Sequence, residues 1–214
     1  MTLSGYLNHD RDDGLKYSYA NWTDSGILKY VSMRMSFAID PKGENVVIGS
    51  VDSIAQMINL KSGTVVKEFK GHSKVVIASD FSTDGSLLAN AGGDRQIIIW
   101  DVKTGKEVKR LVGHRNLVFD VAFNSTGTQI ASESCDGTIV IWDLNSNDYF
   151  LKDLGGNSPY IVDFTPDDLY LVSGDLHNRL DFWESDAVES FRNLIGNKDI
   201  VGDFAFDKNA KQIV

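Results

Sequence analysis

The chain has 214 residues, a hydrophobic content of 42% and a formal net charge of −9. That length and composition are typical of a globular protein with a sizeable buried core. The pI near 4.8 argues against a nucleic-acid-binding protein and against one drawn to anionic lipid, because both functions favour a basic surface.

The cysteine content and the N-terminus bear on the location of the protein. Cys135 is the only cysteine, so an internal disulfide is excluded and a reducing compartment is favoured. The first residues do not form a basic stretch followed by an apolar run. No apolar segment approaches the roughly 18 residues that cross a bilayer. We therefore expect a cytoplasmic protein without membrane contact.

Short β-branched and aromatic runs, separated by turns rich in Gly, Asn, Asp and Ser, predict β-strands along the chain. In chain order, residues 13–31 predict two strands, four complete units of four strands follow, and residues 199–214 predict a first strand and the start of a second. The complete units extend approximately over residues 32–70, 71–112, 113–154 and 155–195. We expect residues 1–214 to form a single domain.

A constant period connects these units. The pairs Gly71-His72 and Gly113-His114 lie 42 residues apart, and each is followed 28 residues later by a Trp-Asp pair, Trp100-Asp101 and Trp142-Asp143. A repeat of about 40–45 residues with these two markers is typical of the four-stranded blade of a β-propeller. The sequence therefore predicts an all-β propeller of antiparallel blades.

The residues between these pairs strengthen the assignment. Asp94 and Asp136 each stand six residues before the Trp, and with the spaced pairs they make the chain resemble the WD-repeat β-propeller family. The resemblance covers about residues 30–206 and is specific in the second and third units. The first unit has Ile58 at the Trp position, whereas the fourth keeps Trp183 but has Gly155-Gly156 in place of Gly-His.

The resemblance implies a hydrogen-bonded set of side chains inside each well-preserved blade. A buried indole N–H needs an acceptor, a serine hydroxyl can provide it, and an imidazole can bridge that hydroxyl to a carboxylate. In the third unit the set is His114, Ser132, Asp136 and Trp142. In the second unit it is His72, Asn90, Asp94 and Trp100, with Asn in place of Ser.

The same side chains could be mistaken for a nucleophilic triad. A similar set recurs one repeat earlier, and the Trp occupies the hydroxyl, so we interpret the set as structural and predict no catalytic residue. The remaining His9, His177 and Cys135 are too few for a zinc site, and the chain has no Gly-rich phosphate loop. We therefore expect no metal and no cofactor.

The resemblance also implies that partners bind on the face that carries the Gly-His loops. Three cations there would form a positive patch on an acidic protein, and Tyr and Arg are enriched at interfaces. We expect a non-enzymatic scaffold, a monomer or a subunit of a larger complex, that binds an acidic peptide or protein segment. The candidate partner-binding residues are Lys74, Arg95, Arg115, Asn116, Tyr160 and His177.

Three questions stay open from the sequence alone. Four aspartates recur about one repeat apart in the first strands, and they could be catalytic acids in a central channel or could specify strand geometry. They are Asp80, Asp120, Asp163 and Asp203. The strands at 13–31 and 199–214 could close a ring of five blades, or the chain could be a fragment of a larger propeller. In the second case it could serve as the regulatory part of a longer WD-repeat protein.

Overall fold

The computed structural model describes residues 36–146, 148–154, 159–175, 179–184 and 190–195, together with Phe204 and Phe206. These residues form sixteen strands in four antiparallel sheets, and in every sheet the spatial order of the strands follows their order in the chain. The described part of the chain contains no helix that is long and apolar enough to cross a membrane.

The strands of the first two sheets are β1 Phe37–Ile39, β2 Asn45–Gly49, β3 Ile54–Asn59, β4 Val65–Lys70, β5 Val76–Phe81, β6 Leu87–Gly92, β7 Gln96–Asp101 and β8 Glu107–Val112. Those of the last two are β9 Val118–Phe123, β10 Gln129–Ser134, β11 Thr138–Asp143, β12 Tyr149–Asp153, β13 Pro159–Phe164, β14 Tyr170–Asp175, β15 Arg179–Glu184 and β16 Ser190–Ile195. The predicted all-β class with four-stranded antiparallel blades is confirmed.

Neighbouring sheets pack face to face, and the third strands show this directly. Ile98 of β7 packs with Ala38 and Phe69 of the first sheet. Its neighbours Ile97 and Ile99 point the other way and pack with residues of the third sheet. All three isoleucines are buried, because a strand between two neighbouring sheets is covered on both faces. This arrangement explains why these runs do not alternate between apolar and polar residues.

Sheets two to four each pack one face against the preceding sheet, and the first sheet differs from them on the corresponding face. Phe81, Phe123 and Phe164 end the first strands of sheets two to four, and each is buried in a cluster shared with the preceding sheet. In β1 the corresponding Ile39 is 43% exposed and Phe37 is 51% exposed. Among the described residues, this face of the first sheet is therefore left largely uncovered.

The strands predicted at 13–31 lie outside the described residues, as does 199–214 apart from Phe204 and Phe206. Phe204 is buried in a small cluster with Val172 and Leu180, against the last complete sheet. The two expectations for the ends of the chain, a five-bladed ring or a fragment of a larger propeller, stay predictions.

Candidate functional site

The third blade brings together the four side chains of the predicted set. The indole Nε1 of Trp142 donates to the hydroxyl of Ser132 at 2.7 Å, and His114 Nε2 lies 2.7 Å from the same oxygen. The other imidazole nitrogen, Nδ1, lies 3.2 Å from Asp136 Oδ2. The chain of contacts thus runs from the buried indole to a carboxylate at the end of the blade.

The electrostatics of the set are consistent with a structural role. Burial lowers the pKa of His114, which favours a neutral imidazole. Burial alone would raise the pKa of Asp136, but hydrogen bonds from the Thr138 hydroxyl, the Arg115 N–H and His114 outweigh it, so the net shift is downward. An ionised Asp136 therefore accepts the Nδ1 proton. Ser132 is fully buried and its hydroxyl is shared by Trp142 and His114, which favours a structural role over that of a nucleophile.

The second blade departs from the prediction at two contacts. His72 Nδ1 lies 2.9 Å from Asp94, as expected, but Nε2 lies 3.1 Å from the backbone carbonyl of Asn90 and not from its side chain. The Asn90 amide instead donates to Ser79 at 2.8 Å. Trp100 Nε1 and Asn90 Oδ1 have no partner among the described residues. The expectation that Asn replaces Ser as the acceptor is wrong, because the longer amide reaches a different neighbour.

The fourth blade retains part of the set that sequence reasoning did not assign. Trp183 Nε1 donates to the hydroxyl of Ser173 at 3.0 Å, which is the equivalent of the Trp142–Ser132 bond. Ser173 stands 41 residues after Ser132, the same interval that separates the two tryptophans. That spacing could have identified it from the sequence.

The predicted partner-binding residues lie on loops at one end of the blades. Lys74 follows the β4–β5 loop residue Ser73, whose N–H donates to Asp94 at 2.9 Å. Arg115 occupies the equivalent loop of the next repeat, and its own N–H donates to Asp136 at 2.6 Å. Each network aspartate therefore anchors the backbone of a loop as well as a histidine. Four of the candidates, Lys74, Arg95, Arg115 and Asn116, have exposed side chains at this end.

The other two candidates have different settings. Tyr160 is half-buried at the start of β13, with its ring 5.8 Å from that of Phe119 on the neighbouring first strand. His177 lies outside the described residues. The described candidates therefore comprise four exposed polar side chains and one partly covered aromatic ring.

Arg95 has an unusual backbone conformation. In the first three blades, the last residue of the turn before the third strand has positive φ, with values of 66° at Ser53, 70° at Arg95 and 83° at Gly137. Glycine fits this left-handed region without strain, whereas a residue with a Cβ does not. The second blade thus holds a long cation in a strained turn at the end of the blade that carries Lys74 and Arg115.

The recurring aspartates line an open cavity of about 230 Å³ between the first strands. Asp80 Oδ2 accepts the backbone N–H of Phe123 at 2.7 Å, and Asp120 Oδ2 accepts that of Val162 at 3.0 Å. Both contacts join one blade to the next. Asp163 lines the same cavity, whereas Asp203 lies outside the described residues. These hydrogen bonds favour the structural interpretation, in which the aspartates fix the positions of the first strands.

Burial raises the pKa of these carboxyl groups, so they are weaker acids than usual. Desolvation raises the pKa of Asp80 to about 6 and that of Asp120 to about 8, although backbone N–H bonds oppose the shift. Glu133, which sequence reasoning missed, is fully buried, and its two oxygens have no partner among the described residues. Burial, followed by repulsion from Asp120 and Asp175, raises its pKa well above the usual range. Acidic groups therefore cluster around the contact between the third and fourth blades.

A second recurring contact between blades was also missed. Lys67 Nζ donates to the backbone carbonyls of Val102 and Lys103 in the next blade, at 2.5 and 2.6 Å. Lys109, one repeat later, donates to the carbonyls of Asp143 and Leu144 at 3.2 and 3.0 Å. The interval of 42 residues between the two lysines was visible in the sequence, but nothing in the pattern showed that their amino groups bind carbonyls of the next blade.

The comparisons with known proteins agree with this fold. The family model described as "WD domain, G-beta repeat" matches residues 63–101 and 105–143. The β-propeller domain of Cps50 (Swd1) from Myceliophteria thermophila superposes with a TM-score of 0.77 at 17% identity, covering 86% of this chain and 62% of that chain. A likeness at that identity shows the fold alone.

Two curated relatives match shorter segments. The periodic tryptophan protein 2 homolog of Schizosaccharomyces pombe is 38% identical over 66 residues, which are 30% of this chain and 8% of that protein. TOPLESS-RELATED PROTEIN 2 of Oryza sativa subsp. japonica is 33% identical over 66 residues, 30% of this chain and 6% of that protein. The matched segment thus spans less than a tenth of the length of these relatives.

Loss of the network carboxylate tests its structural role. Asp136→Ala removes an acceptor from the buried His114 ring and from the Arg115 N–H, so we expect the free energy of unfolding to fall by about 1–3 kcal/mol. Urea denaturation of the parent and the variant measures this change. Asp136→Asn, which keeps one acceptor oxygen, should lose less. An unchanged denaturation midpoint for Asp136→Ala would contradict the structural role.

Exchange of the second-strand residues tests the difference between the two blades. Asn90→Ser places in the second blade the hydroxyl that Trp142 uses in the third and removes the unsatisfied Asn90 Oδ1, so we expect stabilisation by about 1 kcal/mol. The reciprocal Ser132→Asn should destabilise the protein by a similar amount. Thermal unfolding of both variants measures these effects. Destabilisation by Asn90→Ser would show that its bond to Ser79 contributes more.

The raised carboxyl pKa values predict a pH dependence of stability. Between about pH 4 and pH 8, the unfolded state loses the Asp120 proton while the folded state keeps it, so stability falls as pH rises, by at most about 1.4 kcal/mol per pH unit. Asp120→Asn has no ionisable group at this position, so its free energy of unfolding relative to that of the parent should increase steadily over that pH range. Denaturation at several pH values measures the slope. Asp143→Asn is the control, because the pKa of its exposed carboxyl is lowered and its titration lies below this window.

Proposed function

We propose that this chain, in which two repeats match the WD-repeat family model, is a non-enzymatic interaction scaffold that binds an acidic peptide or protein segment. The proposed binding face is formed by the loops at residues 71–75 and 113–117 and by the turn that contains Arg95. Propellers of this family characteristically bind proteins and take part in complexes, which supports the general class of function.

The observation that carries the proposal is the anchoring of these loops from inside the blades. Asp94 and Asp136 each accept a hydrogen bond from a buried histidine and another from the backbone of the loop above it. A loop held in this way loses little conformational entropy when a partner binds. Lys74 and Arg115 extend from these anchored loops, so their charges are presented in a fixed arrangement.

Charge supports the nature of the partner. The chain carries a net charge of −9, yet the described exposed end of the second and third blades presents Lys74, Arg95 and Arg115. A local positive patch on an acidic protein attracts an acidic segment and disfavours a basic one. The strained backbone at Arg95 supports a role for that cation, since glycine would suit the turn better.

The contacts of the candidate catalytic groups support a function without catalysis. The Ser132 hydroxyl is engaged by Trp142 and His114, and Asp80 and Asp120 accept backbone N–H groups of the next blade. The alternative, an enzyme that uses the acidic central cavity, would need these carboxylates to turn toward a substrate. The cytoplasmic location, the oligomeric state and a regulatory role within a larger protein stay predictions.

Charge reversal on the proposed face tests the function. Lys74→Glu combined with Arg115→Glu should weaken binding of a fluorescent glutamate-rich peptide by about tenfold or more, because like charges replace opposite ones. Fluorescence anisotropy measures the affinity. Lys61→Glu combined with Lys103→Glu is the matched control, because these exposed lysines lie on turns at the opposite end of the blades. Equal weakening by both pairs would indicate a nonspecific charge effect and contradict the proposed site.

Replacement of Arg95 separates binding from stability. Arg95→Gly removes one cation from the face and relieves the left-handed backbone, so we expect about 1 kcal/mol of added stability together with weaker peptide binding. Thermal unfolding and the same anisotropy assay measure the two effects on one variant. A more stable variant that binds the peptide as well as the parent does would exclude Arg95 from the site.

A further inference from the structure

Among the described strands, the outer strand of each blade is paired on one edge only. Such an edge exposes backbone N–H and C=O groups that can pair with another strand, and proteins usually protect it with charged side chains or with a β-bulge. In the four blades these outer strands are β4, β8, β12 and β16, because each ends the spatial order of its sheet.

Three of the four outer strands have an irregular register against the third strand of their sheet. The shift falls between Met57 and Ile58 for β4, between Ile99 and Trp100 for β8, and between Phe182 and Trp183 for β16. Such a shift bends the outer strand and disturbs the regular ladder that an added strand would follow. Among these described strands, β12 alone keeps a regular register along its whole length.

The residue opposite the middle of the third strand also differs in β12. Lys67 lies opposite Met57 in the first blade, and Lys109 lies opposite Ile99 in the second. The equivalent position in the third blade is opposite Ile141, and it is occupied by Phe150. In β4 and β8 this position holds a lysine whose Nζ donates to the next blade, whereas in β12 it holds an aromatic side chain.

The strand presents an apolar strip to solvent. Tyr149, Phe150 and Leu151 are 56%, 49% and 47% exposed. The lysine of this strand, Lys152, is fully buried, with its Nζ 3.2 Å from the carbonyl of Glu184 and 5.6 Å from the centre of the Trp183 ring. Its charge therefore points into the contact with the next blade, as the charges of Lys67 and Lys109 do in the first two blades.

The backbone of β12 is oriented to accept another strand. Asp143 N–H donates to the carbonyl of Asp148, and Leu154 N–H donates to that of Gly137, so the even-numbered residues bond to β11. Antiparallel strands alternate the direction of their backbone groups. With a regular register between these two bonds, the N–H and C=O groups of Tyr149 and Leu151 face outward.

The charges around the strip indicate the chemistry of the occupant. Exposed carboxylates border it at Asp148, Asp153 and Glu184. A second copy paired about a two-fold axis would bring the Asp148 end of one strand beside the Asp153 end of the other, so acidic groups would meet twice. A segment with basic residues on both sides of an apolar run would meet opposite charges instead.

We propose that β12 is a docking edge that takes up an extended, apolar segment flanked by basic residues as the fifth strand of the third blade. Main-chain hydrogen bonds to Tyr149 and Leu151 would provide affinity, and apolar contacts with Phe150 would set the position of the segment. This surface lies on the outer rim of the blade and does not depend on the face proposed for acidic partners.

A synthetic peptide with two lysines on each side of the core Val-Tyr-Val-Thr tests the proposal. We expect it to bind the parent protein and to protect the amides of Tyr149 and Leu151 from hydrogen exchange. Leu151→Lys should weaken binding by at least about tenfold, since it places a charge in the apolar strip and repels the lysines of the peptide. Val108→Lys, at an exposed apolar position of the irregular strand β8, is the matched control and should bind as the parent does.

Two altered peptides and a second variant complete the test. A peptide with proline inside the core cannot complete the hydrogen-bond ladder and should bind at least about tenfold more weakly, as should one with glutamates in place of the lysines. Phe150→Lys, which restores the residue type of β4 and β8, should behave like Leu151→Lys. Thermal unfolding identifies any variant that is not folded.

Several outcomes would overturn the proposal. These are the absence of peptide binding to the parent, undiminished binding by both folded lysine variants, and equal binding of the glutamate-flanked peptide. Sedimentation that shows a dimer of the parent, abolished by Leu151→Lys, would assign the edge to a second copy of this chain and would also contradict the proposed occupant. The Lys74→Glu and Arg115→Glu double variant should bind the lysine-flanked peptide as the parent does, because its substitutions lie on the other proposed face.

Discussion

The structure depends on the burial of four-stranded sheets against one another, and the second and third sheets are covered on both faces. A sheet such as the one that contains Ile97, Ile98 and Ile99 is apolar on both faces and is not stable alone in water. Stacking similar sheets in sequence satisfies this requirement, and it explains why the chain is built from units of nearly constant length. In the part of the chain that the structure describes, the loops, the cavity between the first strands, the outer edges and the uncovered face of the first sheet are available for contact with other molecules.

Polar groups inside this stack connect the blades. Asp80 and Asp120 accept N–H groups from the next blade near the centre, and Lys67 and Lys109 donate to carbonyls of the next blade near the periphery. Between the second and third blades both kinds of contact act on one interface, through Asp80 near the centre and Lys109 near the periphery. Recurrent carboxylates in a central cavity can therefore be needed for assembly alone, without any catalytic role.

The sequence predicted the architecture well because its markers are local and periodic. The Gly-His and Trp-Asp pairs identified the blades, and the set around Ser132 was anticipated with its order of contacts. The hydrogen-bond partner of the Asn90 side chain was predicted wrongly, since an amide has several partners within reach and only packing decides among them. The burial of Lys152 against the fourth blade and the lack of a partner for Glu133 among the described residues were not predictable, because both depend on which blade lies beside them.

The interval between Trp142 and Trp183 is 41 residues, one fewer than the interval between Trp100 and Trp142. Within it, β12 has the straight pairing that the corresponding strands of the other blades lack. The shorter interval and the regular pairing of β12 occur in the same repeat, and a change of one residue in repeat length can remove a bulge from an outer strand while the core stays unchanged. Small changes in repeat length offer such proteins a route to new binding properties that does not require substitutions at the surfaces already in use.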